Sequence, residues 1–135
     1  MAMTSNSDAV TGTPRLLLRL EGMAAVVLSV FLFAQASHSW LLFGVLFFAP
    51  DLSFLGYLAG PRVGAASYNA LHTYVGPLLL GGALLLTGST VALPLIWTAH
   101  IGLDRLLGYG MKYPTAFSDT HLGRIGRRRT LGLEG

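Results

Sequence analysis

The segment IWTAHIGLDR, residues 96–105, places a histidine and an aspartate four positions apart in an otherwise apolar run. Residues with this spacing share one face of an α-helix, so His100 and Asp104 should project in the same direction. Ionisable side chains are costly in hydrocarbon and normally turn towards a partner, a cavity or a site. The segment therefore predicts a membrane helix with one polar face.

The composition of the chain is typical of a membrane protein. Of its 135 residues, 53% are hydrophobic and only 11% are charged, whereas about a quarter of the residues of a soluble domain are charged. There is no cysteine, which excludes disulfides, thiolate metal ligands and cysteine nucleophiles. The net charge of +3 comes from basic residues beside apolar runs, where topology and anionic lipid explain them, so we expect no nucleic-acid partner.

Four apolar runs, each close to the ~20 residues that cross about 30 Å of hydrocarbon, predict an all-α, polytopic bundle of four transmembrane helices. The predicted spans are residues 16–36, 40–58, 65–86 and 90–109. The first run ends in Ala34-Gln35-Ala36, which has the form of a signal-peptide cleavage site. Another full apolar run follows almost at once, so we interpret the first run as a membrane helix.

Polar segments flank this transmembrane domain of residues 15–110. Residues 1–14 lack periodicity and are predicted to form a disordered tail. Residues 111–135 form a basic tail in which His121 is expected on a surface loop. If the tail instead folds back to cap a pocket, it brings Asp119 and His121 near that pocket.

All the basic residues fall on one side of the predicted helix stack. They are Arg15, Arg19, Arg62, Arg105, Lys112, Arg124 and Arg127–Arg129. The turns near residues 37–39 and 87–89 carry no lysine or arginine. By the positive-inside rule we expect a multi-pass protein of the inner (cytoplasmic) membrane with both termini in the cytoplasm, its basic tail on anionic lipid headgroups.

This orientation brings ionisable groups from all four spans to one depth. Asp51, His72, His100 and Asp104 lie roughly 7–13 Å from the cytoplasmic ends of their helices at about 1.5 Å per residue, and Glu21 falls in the same layer. Next to Asp51, the preceding proline should kink the second span. We therefore predict one polar pocket that is open to the cytoplasmic face.

Two imidazoles with two or three carboxylates are good ligands for Zn, Mn or Fe. The predicted metal ligands are Asp51, His72, His100 and Asp104, with Asp104 and Glu21 as predicted catalytic residues. Asp104 has an alternative role as the hydrogen-bond acceptor that orients His100. A divalent metal held there would lower the pKa of a bound water. The leading hypothesis is a metal-dependent membrane hydrolase acting at the cytoplasmic face.

Two other interpretations stay open. The cluster is a packing network in a non-enzymatic accessory subunit or scaffold, with the histidines hydrogen-bonded across helices, and a homo-oligomer or a membrane complex would then be its partner. In that case Asp104 pairs with Arg105, and Glu21 with Arg19, as ion pairs near helix ends. Alternatively, the same Asp/His chain serves as a proton or ion relay in a transporter.

Seven phrases in the chain carry a family resemblance. They are residues 18–22 (LRLEG), 49–53 (APDLS), 56–61 (GYLAGP), 68–74 (YNALHTY), 100–105 (HIGLDR), 108–113 (GYGMKY) and 119–123 (DTHLG). In this order they resemble a small bacterial membrane-protein family catalogued as domain of unknown function 4260, over roughly residues 16–126. That resemblance implies no activity.

A looser resemblance concerns three short motifs. Pro50-Asp51, His72-Thr73 and His100-x-x-x-Asp104 are similar in order to motifs of the inner-membrane metal-dependent hydrolases. The resemblance implies that these residues ligate a metal. This chain lacks the second acid directly after the Pro-Asp pair and the arginine that usually precedes the central histidine.

Overall fold

The computed structural model describes residues 9–36, 39–112 and 119–125. Its helices are α1 (Gly12–Gln35), α2 (Trp40–Phe47), a 3₁₀ helix (Ala49–Ala59), α3 (Pro61–His72), α4 (Val75–Leu86) and α5 (Ala92–Leu107). A two-residue antiparallel hairpin of β1 (Asp119–Thr120) and β2 (Gly123–Arg124) follows. The predicted all-α class is confirmed, with this small hairpin as the one addition in the described ranges.

Long apolar helices make this a membrane protein. Helix α1 and the continuous helical segment Trp40–Ala59 are each long and apolar enough to cross a bilayer, and α3 with α4 forms a third such span if the bent pair is taken as one. Large apolar side chains on these helices, such as Val27, Val45 and Leu79, are exposed. Such faces are suited to lipid, because a helix satisfies its own backbone hydrogen bonds there.

The third predicted span is broken. The chain bends by 42° between helices α3 and α4. Helix α3 ends at His72. Pro77 explains the break, because a proline ring clashes with the carbonyl four residues earlier, here Thr73, and lacks the N–H that would bond to it. Pro77 itself is tolerated because it lies in the first turn of α4.

The fourth predicted span is shorter than expected. Helix α5 has 16 residues and ends where Gly108 adopts a left-handed conformation with φ of 90°, which is a common helix C-terminus. The described residues therefore supply two or three helices that pass the length and hydropathy test for crossing a membrane, and the fourth span stays a prediction.

The second predicted span winds more tightly after Phe48 where a simple kink was expected. Pro50 has no backbone N–H to donate, and the amide of Asp51 donates to the carbonyl of Phe48 at 3.0 Å, three residues back. Ser53 Oγ donates to the carbonyl of Pro50 at 2.7 Å. A 3₁₀ run of 11 residues is unusual, because most end after three or four. Asp51 lies in its first turn.

The 3₁₀ helix and α3 form a tight hairpin that turns at Gly60, whose φ is 108°. A Cβ on Gly56 would collide with the side chain of Ser67, and one on Gly64 with the ring of Tyr57. Ser67 Oγ also donates to the carbonyl of Ser53 at 3.0 Å. These close contacts hold the segment that carries Asp51 against the helix that carries His72.

Helix α5 lies at the centre and packs most extensively on α1. The two backbones approach closely at Gly22 and Gly102, where a Cβ on Gly22 would lie 2.6 Å from the Gly102 carbonyl oxygen. Small residues permit such approach between membrane helices, where packing and not hydrophobicity drives association.

The chain after α5 folds back over the N-terminus of α1. The amide of Val10 donates to the carbonyl of His121 at 2.7 Å, and Arg15 Nε donates to the carbonyl of Leu122, also at 2.7 Å. Leu122 is fully buried. The alternative in which the tail folds back is thus the one observed, and α1 begins inside the predicted N-terminal tail. Residues 1–8, 113–118 and 126–135, which include Arg127–Arg129, lie outside the described residues.

We predict that Gly22→Ala destabilises the helix bundle by about 1–3 kcal/mol, because the added methyl overpacks the contact between α1 and α5. Gly44→Ala is the matched control, since nothing lies within 4 Å of a Cβ there, and it should be neutral or stabilising by up to ~1 kcal/mol. Unfolding in mixed detergent micelles measures both. Equal stability of the two variants would contradict the close approach.

Candidate metal centre

Four predicted site residues meet in one cluster. Asp51, His72, His100 and Asp104 each offer one ligand atom, and these four atoms all lie within 4.8 Å of one another. The two histidines are buried, whereas the side chains of Asp51 and Asp104 are 36% and 19% exposed. The 3₁₀ helix, α3 and α5 together supply the cluster.

The distances that involve the two histidine Nε2 atoms are short and even. The two Nε2 atoms of His72 and His100 lie 3.1 Å apart. Asp51 Oδ1 lies 3.4 Å from Nε2 of His72 and 3.2 Å from that of His100. Asp104 Oδ2 lies 3.5 and 3.4 Å from the same two nitrogens. Each carboxylate oxygen therefore faces both imidazoles.

The protonation of His72 is indicated by its other nitrogen. Nδ1 lies 2.8 Å from the carbonyl oxygen of Tyr68 and donates to it, so in the neutral ring Nε2 carries the lone pair. The ring is also stacked on that of Tyr68, with centroids 3.7 Å apart and planes within 7°. His72 thus directs an acceptor atom towards two carboxylates and a second imidazole. Such a group of acceptors needs shared protons or a cation to hold it together.

Helix α5 secures the broken end of α3. The last carbonyls of a helix lack partners within it, and here Trp97 Nε1 donates to the carbonyl of Leu71 at 2.7 Å. Arg105 Nη2 donates to the carbonyl of His72 at 2.9 Å. Sequence reasoning missed both supporting roles. An arginine inside the apolar run of α5 was the available signal.

Both arginines of the predicted ion pairs, Arg19 and Arg105, donate to backbone carbonyls. Arg105 directs its guanidinium to the carbonyls of His72 and Tyr109, and Arg19 Nε donates to the carbonyl of Leu106 at 2.8 Å. Glu21 is exposed on α1 and is not one of the residues that the structure brings together. The depth of Glu21 was predicted without regard to its helix face, and it is the neighbouring Gly22 that packs on α5.

A cavity of about 210 Å³ lies against the carboxylate side of the cluster. Its walls are formed by Asp51, Phe54, Tyr68, Asp104, Tyr109, Lys112 and Ile125. It thereby connects the metal-ligand candidates with the C-terminal segment. Lys112 and Ile125, neither of which was predicted as a site residue, belong to that segment.

Lys112 is held in the wall by reciprocal backbone contacts. Its amide donates to Asn69 Oδ1 at 2.6 Å, and Asn69 Nδ2 donates to its carbonyl at 2.7 Å. Burial lowers the pKa of Lys112 to about 8, while the negative charge of Asp104 acts in the opposite direction. The site therefore contains a buried amine as well as its two carboxylates.

His121 secures the folded-back segment. Its Nδ1 accepts a hydrogen bond from the amide of Met111 at 2.8 Å. Burial lowers the pKa of His121, and the positive charge of Arg105 lowers it further. The neutral ring is thus the form that docks. The side chain of Asp119, which was considered beside His121, lies outside the described residues.

Fold and site together define a helical membrane protein with a buried Asp/His cluster of the kind that can bind a metal. The chain belongs to the family described as Domain of unknown function (DUF4260), which matches residues 15–125. Neither a curated protein nor a solved structure matches the chain.

We predict that acid loosens the docking of residues 119–125. Undocked His121 titrates near its ordinary value of 6.5, whereas docked His121 has a lowered pKa. Below about pH 6.5 the undocked form binds more protons, so docking is stable above this pH and weakens as the pH falls towards the docked pKa. Amide hydrogen exchange at Met111 and in residues 119–125, corrected for intrinsic rates, should show less protection at about pH 5 than at about pH 7.

His121→Gln provides the control, because glutamine does not titrate in this range. Its protection should not depend on pH. Equal protection of the wild-type segment at both pH values would show that His121 does not control docking.

Proposed function

We propose that the cluster binds one divalent transition metal, with zinc as the first choice, and that the protein is a metal-dependent hydrolase of the membrane. Asp51, His72, His100 and Asp104 are the proposed ligands. Asp104 is also the proposed catalytic residue. The proposal depends mainly on one observation, which is the spacing of the four ligand atoms.

Five of the six separations among the ligand atoms fit a tetrahedral ion. The sixth, between the two carboxylate oxygens, is bounded by 4.8 Å, so binding would draw one carboxylate inwards. Ligands at about 2.0–2.2 Å from a tetrahedral zinc lie about 3.3–3.6 Å from one another. The five separations that involve the histidine Nε2 atoms run from 3.1 to 3.5 Å. Two nitrogen and two oxygen donors also suit zinc, manganese or iron(II) better than magnesium or calcium, which prefer oxygen. The stacking of His72 on Tyr68 and its bond to the Tyr68 carbonyl support the ligand orientation.

A zinc ion in this position would lower the pKa of a coordinated water to about 7 and so supply hydroxide at neutral pH. The chain contributes access and proton transfer. The cavity reaches the cluster at the partly exposed carboxylates, so water and substrate approach from that side. Asp104 turns Oδ2 to the histidines, and its other oxygen is the proposed acceptor of the proton from the attacking water.

A second candidate function is a structural metal site in an accessory subunit. The observation that favours it is the number of protein ligands, because structural zinc sites have four and catalytic sites usually keep one position for water. A zinc ion held by these four residues would need water as an additional ligand for catalysis, as catalytic zinc sites allow, and the cavity adjoins the carboxylates where that water would enter. Activity measurements on the metal-loaded protein distinguish the two.

We predict that purified protein holds about one zinc ion per chain and that His72→Ala/His100→Ala loses it, because two of the four donors are removed. Elemental analysis by mass spectrometry measures the metal. The same samples are assayed with chromogenic p-nitrophenyl carboxylate and phosphate esters in micelles. The double variant should lose hydrolysis of whichever ester the wild type cleaves, and Asp104→Asn should reduce it by about 10²-fold or more.

His121→Ala is the matched control, because it removes an imidazole outside the cluster and should retain the metal. Wild-type protein without a stoichiometric transition metal would overturn the metal assignment. Stoichiometric zinc that raises the unfolding temperature, without hydrolysis of any of these esters, would favour the structural site.

The proposed orientation places the cluster in the cytoplasmic half of the inner membrane. The distribution of basic residues supports it, since α1 begins next to Arg15 whereas the turn at Thr87–Thr90 is uncharged. Both termini would then be cytoplasmic, four spans would include the short α5, and the basic tail would contact anionic headgroups.

The absence of cysteine makes this orientation simple to test. In intact cells with a permeabilised outer membrane, a maleimide that cannot cross the inner membrane should label Ser89→Cys. Arg62→Cys, in the opposite turn, should react only after that membrane is opened. Both native residues are exposed. The reverse labelling pattern would invert the topology.

A further inference from the structure

We propose that Lys112 is the anion-binding residue of this site and that the substrate carries a phosphate-type group, which the Lys112 ammonium holds beside the metal. This inference rests on the proposed metal-dependent function and adds to it the chemical class of the substrate. It is drawn from the position of Lys112, from the charges around the cavity and from the size of the cavity.

The position of Lys112 is fixed on both sides of its backbone. Asn69 pairs with its amide and its carbonyl at 2.6 and 2.7 Å, and Lys112 forms an antiparallel bridge with Thr120. The residue is only 3% exposed. A lysine is rarely so buried unless its charge has interaction partners. A lysine anchored in this way presents its ammonium with little loss of entropy on binding.

Aromatic rings direct the ammonium. Lys112 Nζ lies 4.7 Å from the ring centroid of Tyr68 and 5.8 Å from that of Phe54. Both rings also line the cavity. Tyr68 stacks on His72, so one ring contacts both the proposed ligand and the ammonium. Lys112 therefore stands in the same cavity wall as the proposed metal centre.

The charges of the cavity favour an anion once the metal is bound. Asp51 and Asp104 contribute two negative charges and Lys112 one positive charge, so a divalent ion makes the set positive overall. The remaining walls are largely aromatic or aliphatic, with Phe54, Tyr109 and Ile125, and such surroundings strengthen a charge-assisted hydrogen bond. An ammonium has three donors, so an anion can bind in addition to the contacts that Lys112 already makes.

The volume of the cavity is small. A cavity of about 210 Å³ is smaller than the ~300–1,000 Å³ of sites for whole drug-sized ligands. It therefore suits a small anion or the anionic end of a longer molecule. A phosphate ester places several oxygens within reach of both a metal and an ammonium. Such an ester comes either from water, as a soluble phosphate, or from the bilayer, as a lipid headgroup.

The test measures the affinity of zinc-loaded protein for inorganic phosphate by titration calorimetry in detergent. Lys112→Met should weaken binding by at least about tenfold, because it removes a hydrogen bond to a charged group, and should retain zinc. Lys112→Arg should keep most of the affinity. Arg62→Met is the matched control, since it removes one positive charge from an exposed position and should leave binding unchanged.

Competition then identifies the source of the ester. Displacement of inorganic phosphate by glycerol 3-phosphate would support a soluble ester, and displacement only by phosphatidic acid in nanodiscs would support a lipid. If neither displaces it, a phosphate ester is the wrong substrate class.

The outcomes distinguish a failure of the Lys112 proposal from a failure of the proposed metal-dependent function. If Lys112→Met retains zinc and binds phosphate as well as the wild type does, the role of Lys112 is wrong and the metal site stands. If Lys112→Met loses zinc, Lys112 supports the centre and does not bind the anion, which also overturns the inference. If the wild type holds no metal, the proposed function fails, and the inference fails with it because two carboxylates would then repel phosphate.

Discussion

Everything in this fold depends on the cost of isolating an acid or an imidazole in hydrocarbon. One such group alone would be driven to the interface or neutralised. Here Asp51, His72, His100 and Asp104 point at a common centre, where each lies within hydrogen-bonding or ligation distance of its neighbours. The arrangement stays favourable only while protons or a cation occupy the space between them, and it ties three helical segments to one point.

The backbone is irregular where this convergence requires it. Asp51 lies in the first turn of a 3₁₀ helix, directly after a proline, and His72 is the last residue of α3 before a bend. Broken helices in membranes are tolerated where the freed backbone groups find partners within the protein. The indole of Trp97 and the guanidinium of Arg105 supply those partners. Helix α5 therefore both contributes ligands and stabilises the bend that positions another ligand.

The sequence allowed much of this to be predicted, for identifiable reasons. Apolar runs predict where helices lie because length and hydropathy are local properties, and intramembrane acids and histidines predict a site because hydrocarbon makes them costly. What failed needed three-dimensional information. The predicted span of residues 65–86 took no account of Pro77, and the bend before it is stabilised by the contacts of α5 with the freed carbonyls of α3. Glu21 is exposed on α1, and a predicted depth alone does not distinguish one helix face from another.

The residues that were missed share one property. They form contacts between α3 and the segment after α5, and these residues are Asn69, Lys112 and Ile125. No periodicity within either segment indicates that the two segments meet. The return of the C-terminal segment to α1, through Arg15 and Leu122, is a long-range event of the same kind. Sequence patterns predict the individual helices well, but they do not predict the long-range contacts that a distant segment makes with the end of a helix.

The shortness of α5 has a consequence for the surrounding bilayer. Sixteen residues rise about 24 Å, less than the ~30 Å of an average hydrocarbon layer. In the proposed four-span topology, this hydrophobic mismatch would be met by local thinning of the lipid or by entry of water at the helix ends. Headgroups would then sit deeper beside α5 than elsewhere around the protein.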